Sequence, residues 1–207
     1  MNALLRRNHY STPFNAKRGL VHLVVGLSIG IACFQLSRPV LLSILIPVTI
    51  AWLLTDILRM SFARLSVIFT VVFAPFLRDY EKSRLTGASF LLMGCSLSYV
   101  IFDKEIAALA ISFLAVGDPL AHFVRDRLSK SRIVFQSAGE AAACFIACIT
   151  IGLLWQHYAN LTLDVITISI GAVTAAVVQS LSLPLDDNFT IPLCTSGLMW
   201  ITQMLSG

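Results

Sequence analysis

Long apolar runs, separated by short polar segments, most constrain what this chain can fold into. A helix needs about 20 apolar residues to cross the hydrocarbon of a bilayer. Seven stretches approach that length: 20–37, 39–56, 85–102, 105–124, 138–157, 164–183 and 191–206. Hydrophobic residues make up 57% of the chain and charged residues only 13%, which is far from the average of soluble domains. We therefore expect an all-α, polytopic integral membrane protein.

The polar segments are too short to fold separately, which predicts a single membrane domain. Residues 1–19 are polar and basic, and the first apolar run follows directly. A signal peptide has the same order, but this run contains His22 and lacks a convincing small-residue cleavage site. We expect 1–19 to be a basic cytoplasmic segment and 20–207 to be one transmembrane domain whose first span is retained.

An eighth apolar run, 65–77, is short and contains Pro75, and the distribution of charge indicates its placement. If this run spans the membrane, seven Lys and Arg lie inside and eight outside. If it re-enters or lies in the interface, thirteen lie inside and only Arg38 and Lys104 lie outside. Cytoplasmic loops carry an excess of positive residues. We therefore predict about seven spans, a re-entrant or interfacial 65–77, and a cytoplasmic N-terminus.

This topology predicts both a location and a set of partners. We expect a plasma or inner membrane, with an endoplasmic-reticulum or plastid membrane as the alternative. The pI is about 8.9, but the basic residues fall in short loops, as membrane topology requires, so we expect no nucleic-acid partner. The five cysteines lie in apolar runs without the spacing of a zinc or redox site, which favours a packing role. The sequence leaves the oligomeric state open.

Asp118 is an acid inside an apolar run, next to Gly117. Ionisable groups at membrane depth are costly and are therefore functional-site candidates. The carboxylate requires a cation, either Mg²⁺, which prefers oxygen ligands, or Arg125, seven residues further on. The second alternative would make Asp118 part of a structural ion pair. Gly117 would let a ligand approach the backbone closely.

Further polar residues fall on the same predicted face of the membrane. Thr86 and Gly87 mark a helix start, where backbone N–H groups favour an anion, and Arg84 precedes them; a solvated loop with a helix cap is the alternative. His22 shares a helical face with Arg18. The alternative is that His22 is a packing or hydrogen-bonded residue without a role in the site.

Two more segments reach that face. A basic loop containing Lys130 leads through Ser137 to Glu140 and would bind phosphate or simply mark topology. The adjacent acids Asp186 and Asp187, with Asn188, would hold a metal or a ribose, or act as ordinary turn residues. Asp56 and Arg59, three residues apart, are typical of an intrahelical ion pair.

Taken in order, these elements resemble a known family. They are Arg18, His22, Gly26, Asp56, Arg59, Glu81, Thr86-Gly87-Ala88, Gly94, Val116-Gly117-Asp118, Ala121, Lys130, Ser137, Asp187-Asn188 and Pro192. The chain resembles the CTP-dependent polyprenol, phytol, dolichol and diacylglycerol kinases, which are related to the phosphatidate cytidylyltransferases. The resemblance implies transfer of the terminal phosphate of CTP, with Mg²⁺, to the hydroxyl of a membrane lipid alcohol.

The resemblance also implies roles for individual residues. Those expected to be catalytic are Asp118, Glu140 and His22. Those expected to bind nucleotide or phosphate are Arg18, Arg84, Thr86, Gly87, Gly117, Lys130, Ser137 and Asn188, and those expected to bind Mg²⁺ are Asp118, Asp187 and Glu140. The chain departs from the family pattern at Gln136, where a lysine is usual, and in the order Gly139-Glu140. A cytidylyltransferase, and a transport or lipid-binding protein without catalysis, are the alternatives.

Overall fold

The structure is a computed structural model that describes residues 15–128, 133–181, 183 and 185–206. Within these ranges the chain forms helices and no strand, which confirms the predicted helical class. The helices are α1 (Ala16–Gln35), α2 (Arg38–Ser61), α3 (Ala63–Phe73), α4 (Gly87–Ile101), α5 (Lys104–Arg127), α6 (Ile133–Tyr158), α7 (Val165–Ser180) and α8 (Asp187–Ser206). Short 3₁₀ helices cover Ala74–Phe76 and Asp79–Ser83.

Each apolar stretch singled out in the sequence coincides with a helix. Four segments are long and apolar enough to cross a membrane: Ala16–Gln35, Arg38–Ser61, Lys104–Arg127 and Phe135–Tyr158. The helices α4 and α7 are apolar but shorter, with 15 and 16 residues. The chain is therefore a helical membrane protein, while the count of seven spans stays a prediction.

The centre of the bundle is α5, against which α1, α6, α7 and α8 pack. All ten residues from Ile106 to Ala115 are buried, so α5 is covered on every side along this stretch. Small residues bring α1 close to it. A Cβ on Gly26 would lie 2.6 Å from the Cβ of Ala115, and one on Gly30 would lie 2.5 Å from Ser112 Oγ. This close approach holds the middle of α1 against the part of α5 that leads up to Asp118.

The run predicted to re-enter or to lie in the interface forms α3 and the short 3₁₀ helix Ala74–Phe76. These follow α2 in the chain, and the 3₁₀ helix contacts α1. The rings of Phe69 and Phe73 pack on Trp52 of α2, with centroids 6.2 and 5.6 Å away. Past the end of α3, Asn15 Nδ2 donates to Pro75 O at 2.7 Å. Eleven residues of helix span only about 16 Å. A helix that bridges two neighbours at one end of the bundle fits the interfacial alternative.

Candidate active site at one end of the bundle

Because successive helices alternate in direction, seven helix ends meet at one end of the bundle. They are the starts of α1, α4, α6 and α8 and the ends of α2, α5 and α7. Most of the residues predicted to form the site lie here. Lys130 falls outside the described residues, so its predicted phosphate contact stays a prediction.

Asp118 is 7% exposed and lies between two histidines. Its Oδ1 is 3.1 Å from Nε2 of His122, one turn further along α5. Its Oδ2 is 3.6 Å from Nδ1 of His22 on α1. The sequence singled out His22 and Asp118 but missed His122, although the spacing of four residues places it on the same helical face as Asp118. The two helices thus bring a carboxylate and two imidazoles together.

Arg125 contacts Glu140 rather than Asp118. Its Nη1 lies 3.5 Å from Oε2 of Glu140 on α6, and its Nη2 is hydrogen-bonded to His122 Nδ1. The alternative in which Arg125 neutralises Asp118 is therefore wrong. Seven residues place the two side chains about two turns apart along α5, where Arg125 meets α6 instead.

Glu81 fills the position at the start of α4 where an external anion was predicted. Its carboxylate, 1% exposed, accepts hydrogen bonds from the amide of Gly87 at 3.0 Å and from the amide of Arg78 at 2.8 Å. Arg18 Nη1 donates to both of its oxygens at 2.9 Å. The predicted phosphate donors Arg18 and Gly87 thus already have a carboxylate of the protein as their partner.

The Asp56 carboxylate accepts hydrogen bonds from the donors next to Gly87 at the start of α4. Its Oδ1 lies 2.5 Å from Arg59 Nε, which gives the ion pair predicted from their spacing. Its Oδ2 accepts from the amide and hydroxyl of Thr86, at 2.8 and 2.9 Å, and from Ser89 Oγ at 2.5 Å. Arg59 donates in turn to the backbone oxygens of Glu81, Lys82 and Arg84. This pair fixes the segment that leads into α4 and leaves Thr86 without a spare amide.

The turn before α8 completes this end of the bundle. Asn188 Nδ2 donates to Gly87 O at 3.1 Å, and the Asn188 amide donates to Asp186 Oδ1 at 3.0 Å. Burial raises the pKa of Asp186 against the opposing effects of the Asn188 amide and nearby Arg78. The carboxylate of Asp187 is close enough to those of Asp118 and Asp186 for charge repulsion between them. The turn therefore places two further carboxylates beside the Asp118 cluster.

The predicted Mg²⁺ ligands do not gather around one point. Among the described residues, no three His, Cys, Asp or Glu side chains are arranged to hold a metal ion. Glu140 faces Arg125, and Asp118 faces its two histidines. Mg²⁺ often uses only one or two carboxylates together with substrate phosphates. The adjacent Asp186 and Asp187 fit that smaller requirement.

Gly117 serves the packing of α5 on α6. A Cβ at this position would lie 2.7 Å from Cys144 Sγ and 2.9 Å from Cys148 Sγ. The cysteines therefore fill the space in which a ligand was expected to approach the Gly117 backbone, which contradicts that prediction. Two other predicted phosphate contacts, Ser137 and Arg84, are exposed at the same end of the bundle.

A cavity of about 90 Å³ lies beside this cluster, between α1, α2, α3, α4 and the start of α8. One part of its wall is apolar and includes Trp52, Phe69 and Phe73. The polar side chains in its lining include His22. The Nε2 atom of His22 is buried without a hydrogen-bond partner. A cavity lined by aromatic rings and by a few polar side chains, His22 among them, suits a ligand with a long apolar body and a polar end.

Comparisons with known proteins give two distant relatives. The chain is 26% identical over 187 residues to an uncharacterized protein of Rickettsia prowazekii, covering 87% of this chain and 90% of the relative. It is 25% identical over 164 residues to a CTP-dependent diacylglycerol kinase of Schizosaccharomyces pombe, covering 70% of this chain and 73% of the relative. No protein-family model matches the chain, and no solved structure matches it. The comparisons therefore give distant similarity to a lipid kinase.

Proposed function

We propose that this protein is a lipid kinase that transfers the terminal phosphate of a nucleoside triphosphate, CTP by resemblance, to the hydroxyl of a membrane lipid alcohol. One observation carries the proposal. His22 lines a cavity with a largely aromatic and aliphatic wall, while its Nδ1 atom faces the carboxylate of Asp118. The distant similarity to a diacylglycerol kinase supports the same reaction class.

In this proposal His22 accepts the proton of the lipid hydroxyl. Asp118 faces Nδ1 at 3.6 Å and favours the tautomer that leaves Nε2 free to act as a base. The 3.6 Å distance exceeds a hydrogen bond, and such distances commonly shorten when substrate binds. The lipid oxygen forms a bond to the terminal phosphorus, the bond from that phosphorus to the bridging oxygen breaks, and the nucleoside diphosphate leaves.

Phosphoryl transfer depends mainly on positioning and on neutralisation of the phosphate charge. Burial opposes the charged form of Arg78, but Tyr80, Asp118 and Asp186 together raise the pKa of Arg78, so its guanidinium stays protonated. Arg78 joins exposed Arg84 and Lys130 as the proposed phosphate contacts. Asp186 and Asp187 would hold Mg²⁺, which when bound neutralises charge on the phosphates.

The membrane orientation proposed here places this end of the bundle in the cytoplasm. Thirteen of the fifteen Lys and Arg fall on that side when 65–77 lies in the interface. Nucleoside triphosphates are found on the same side. The lipid alcohol would enter sideways from the bilayer and meet the nucleotide beside His22. We place the protein in the plasma or inner membrane.

The test is turnover by purified protein with CTP, ATP or GTP, Mg²⁺ and a panel of lipid alcohols. We expect a phosphorylated lipid and a nucleoside diphosphate, and loss of both in Asp118→Asn. The matched control is Asp103→Asn, which makes the same change at the opposite end of α5, where Asp103 is exposed. Release of pyrophosphate would indicate a cytidylyltransferase. Turnover unaffected by Asp118→Asn would refute the assigned site.

A further inference from the structure

We propose that His122 is a positioning residue for Asp118, and that Arg125 holds the His122 ring in one neutral tautomer. His122, Arg125 and Glu140 lie at the same end of the bundle as Asp118 but have no part in the reaction proposed above. The effect of His122 on turnover rests on the proposed function. The tautomer of His122 follows from the contacts of the ring alone, so the two can be tested separately.

The partners of the His122 ring determine which of its nitrogens carries the proton. Nδ1 of His122 is hydrogen-bonded to Nη2 of Arg125. A guanidinium only donates hydrogen bonds, so Nδ1 accepts this one and carries no proton. The proton of the neutral ring therefore lies on Nε2, which is 3.1 Å from Oδ1 of Asp118. His122 thus donates to Asp118 as a neutral imidazole.

Contacts with α6 keep the Arg125 guanidinium in the position from which it donates to His122. Oε2 of Glu140, a residue that is 6% exposed, lies 3.5 Å from Nη1 of Arg125. The backbone oxygen of Arg125 accepts a hydrogen bond from Nε2 of Gln136, also on α6, at 3.3 Å. Arg125 is therefore fixed from α6 by two contacts, and the orientation of the His122 ring on α5 depends on them.

The hydrogen bond from His122 determines how the Asp118 carboxylate is turned. Oδ1 faces His122 on the same helix, which leaves Oδ2 facing Nδ1 of His22 on α1, at 3.6 Å. A carboxylate beside one ring nitrogen of a histidine favours the proton on that nitrogen. Without the donor on His122, the carboxylate can rotate about its Cβ–Cγ bond, and a buried oxygen loses its partner, which is unfavourable. His122 therefore acts on His22 through Asp118 and does not touch substrate itself.

Two substitutions of His122 separate its contact with Asp118 from its contact with Arg125. The amide nitrogen of glutamine reaches the position of Nε2, so His122→Gln can still donate to Asp118. Asparagine reaches only the position of Nδ1, so His122→Asn leaves Asp118 without this donor. We expect kcat for lipid phosphorylation to fall about 10–100-fold in His122→Asn, as is typical when a partner that orients a functional side chain is removed. It should be largely kept in His122→Gln, and KM for nucleotide and lipid should stay unchanged in both.

The tautomer is tested without turnover, by ¹⁵N NMR of the full chain labelled at its histidines in detergent micelles. Long-range couplings within the ring distinguish the two neutral tautomers from the imidazolium, and the His122 signals are those that disappear in His122→Gln. We expect a proton on Nε2 and none on Nδ1. In Arg125→Gln the tautomer should no longer be fixed, because an amide can either donate or accept.

A proton on Nδ1 of His122 in the wild-type protein, or equal kcat in His122→Gln and His122→Asn, would overturn the inference. If His122→Asn does not fold, Arg125→Gln provides the test, and an unchanged tautomer in that variant would contradict the role of Arg125. If the expected tautomer is found but the wild-type protein phosphorylates no lipid, the proposed kinase function fails while the assigned contacts of His122 stand.

Discussion

Two acid-base clusters lie at the same end of this bundle, and they differ in how completely they are paired. Asp56 and Arg59 are fully or almost fully buried, and every contact described for them is to another part of the protein. Asp118 is also buried, but its neighbour His22 keeps one nitrogen without a partner beside a cavity. In sequence the two clusters look alike, with an acid and a base near the end of an apolar run. The structural cluster around Asp56 has partners for its hydrogen-bonding atoms, whereas the candidate reactive cluster around Asp118 keeps one atom without a partner.

Removing the charge of Asp56 should produce the largest effect. Asp56→Asn leaves Arg59 buried without its counter-charge, and breaking a buried pair in this way typically costs about 3–5 kcal/mol. We expect a large fall in the free energy of unfolding, measured by denaturant titration in detergent, with activity lost only as far as the fold is lost. A variant that keeps wild-type stability would show that the Asp56 cluster is not structural.

His22→Gln should have the opposite effect, with activity lost and stability kept. Loss of a general base commonly lowers turnover by about 10²–10⁴-fold. The melting temperature should change little, because the glutamine amide can take the place of Nδ1 beside Asp118 and Nε2 has no partner to lose. The measurement is kcat for lipid phosphorylation together with a melting curve. His157→Gln, an exposed histidine in the last turn of α6, is the matched control. Equal loss in both variants would contradict the assignment of His22.

Gly117→Ala tests whether the residue before Asp118 serves packing or ligand binding. The added methyl group would meet Cys144 Sγ and Cys148 Sγ, and overpacking of this kind commonly costs about 1–3 kcal/mol. Adding Cys144→Ala and Cys148→Ala should recover most of the stability and activity. If stability returns but turnover does not, the Gly117 backbone has a role in binding after all.

The smallest effect is expected at an exposed pair close to the Asp56 cluster. Lys82 Nζ lies 2.8 Å from Asp79 Oδ1, and the hydrogen bond from Lys82 lowers the pKa of Asp79. Exposed ion pairs contribute little because water and salt screen them. Asp79→Asn should therefore leave the melting temperature unchanged, which makes it the matched control for Asp56→Asn. A clear fall in the melting temperature would mean that ion pairing, rather than burial, determines the stability of this segment.

Hydrophobicity along the chain predicts the helices well, because an apolar run of sufficient length satisfies its backbone internally only as a helix. It also predicts that the polar residues share one end of the bundle, since alternating helix directions follow from short connections. Glu81 is one of the residues that carry the family resemblance, but the resemblance assigns it no role. The structure gives that residue a position, as the carboxylate at the start of α4 that pairs with Arg18.

Side-chain partners were harder to predict, because they depend on how neighbouring helices are rotated and spaced. The sequence pattern gives no role to His122, which lies one turn from Asp118, and it suggests Arg125 for Asp118, whereas Arg125 contacts Glu140. It predicts a ligand contact at Gly117, because a sequence does not show which neighbouring helix faces a glycine. The cavity itself arises from α3 packing back on Trp52, a contact that no local pattern indicates.

Because α3 closes this end of the bundle between α2 and α1, and exposes Val67, Val71 and Val72, an acceptor lipid would not have to leave its leaflet to be phosphorylated. The relevant substrate concentration would then be a surface density. At saturating nucleotide, the rate should follow the mole fraction of alcohol in the bilayer and stay constant when the membrane and its alcohol are diluted together in water.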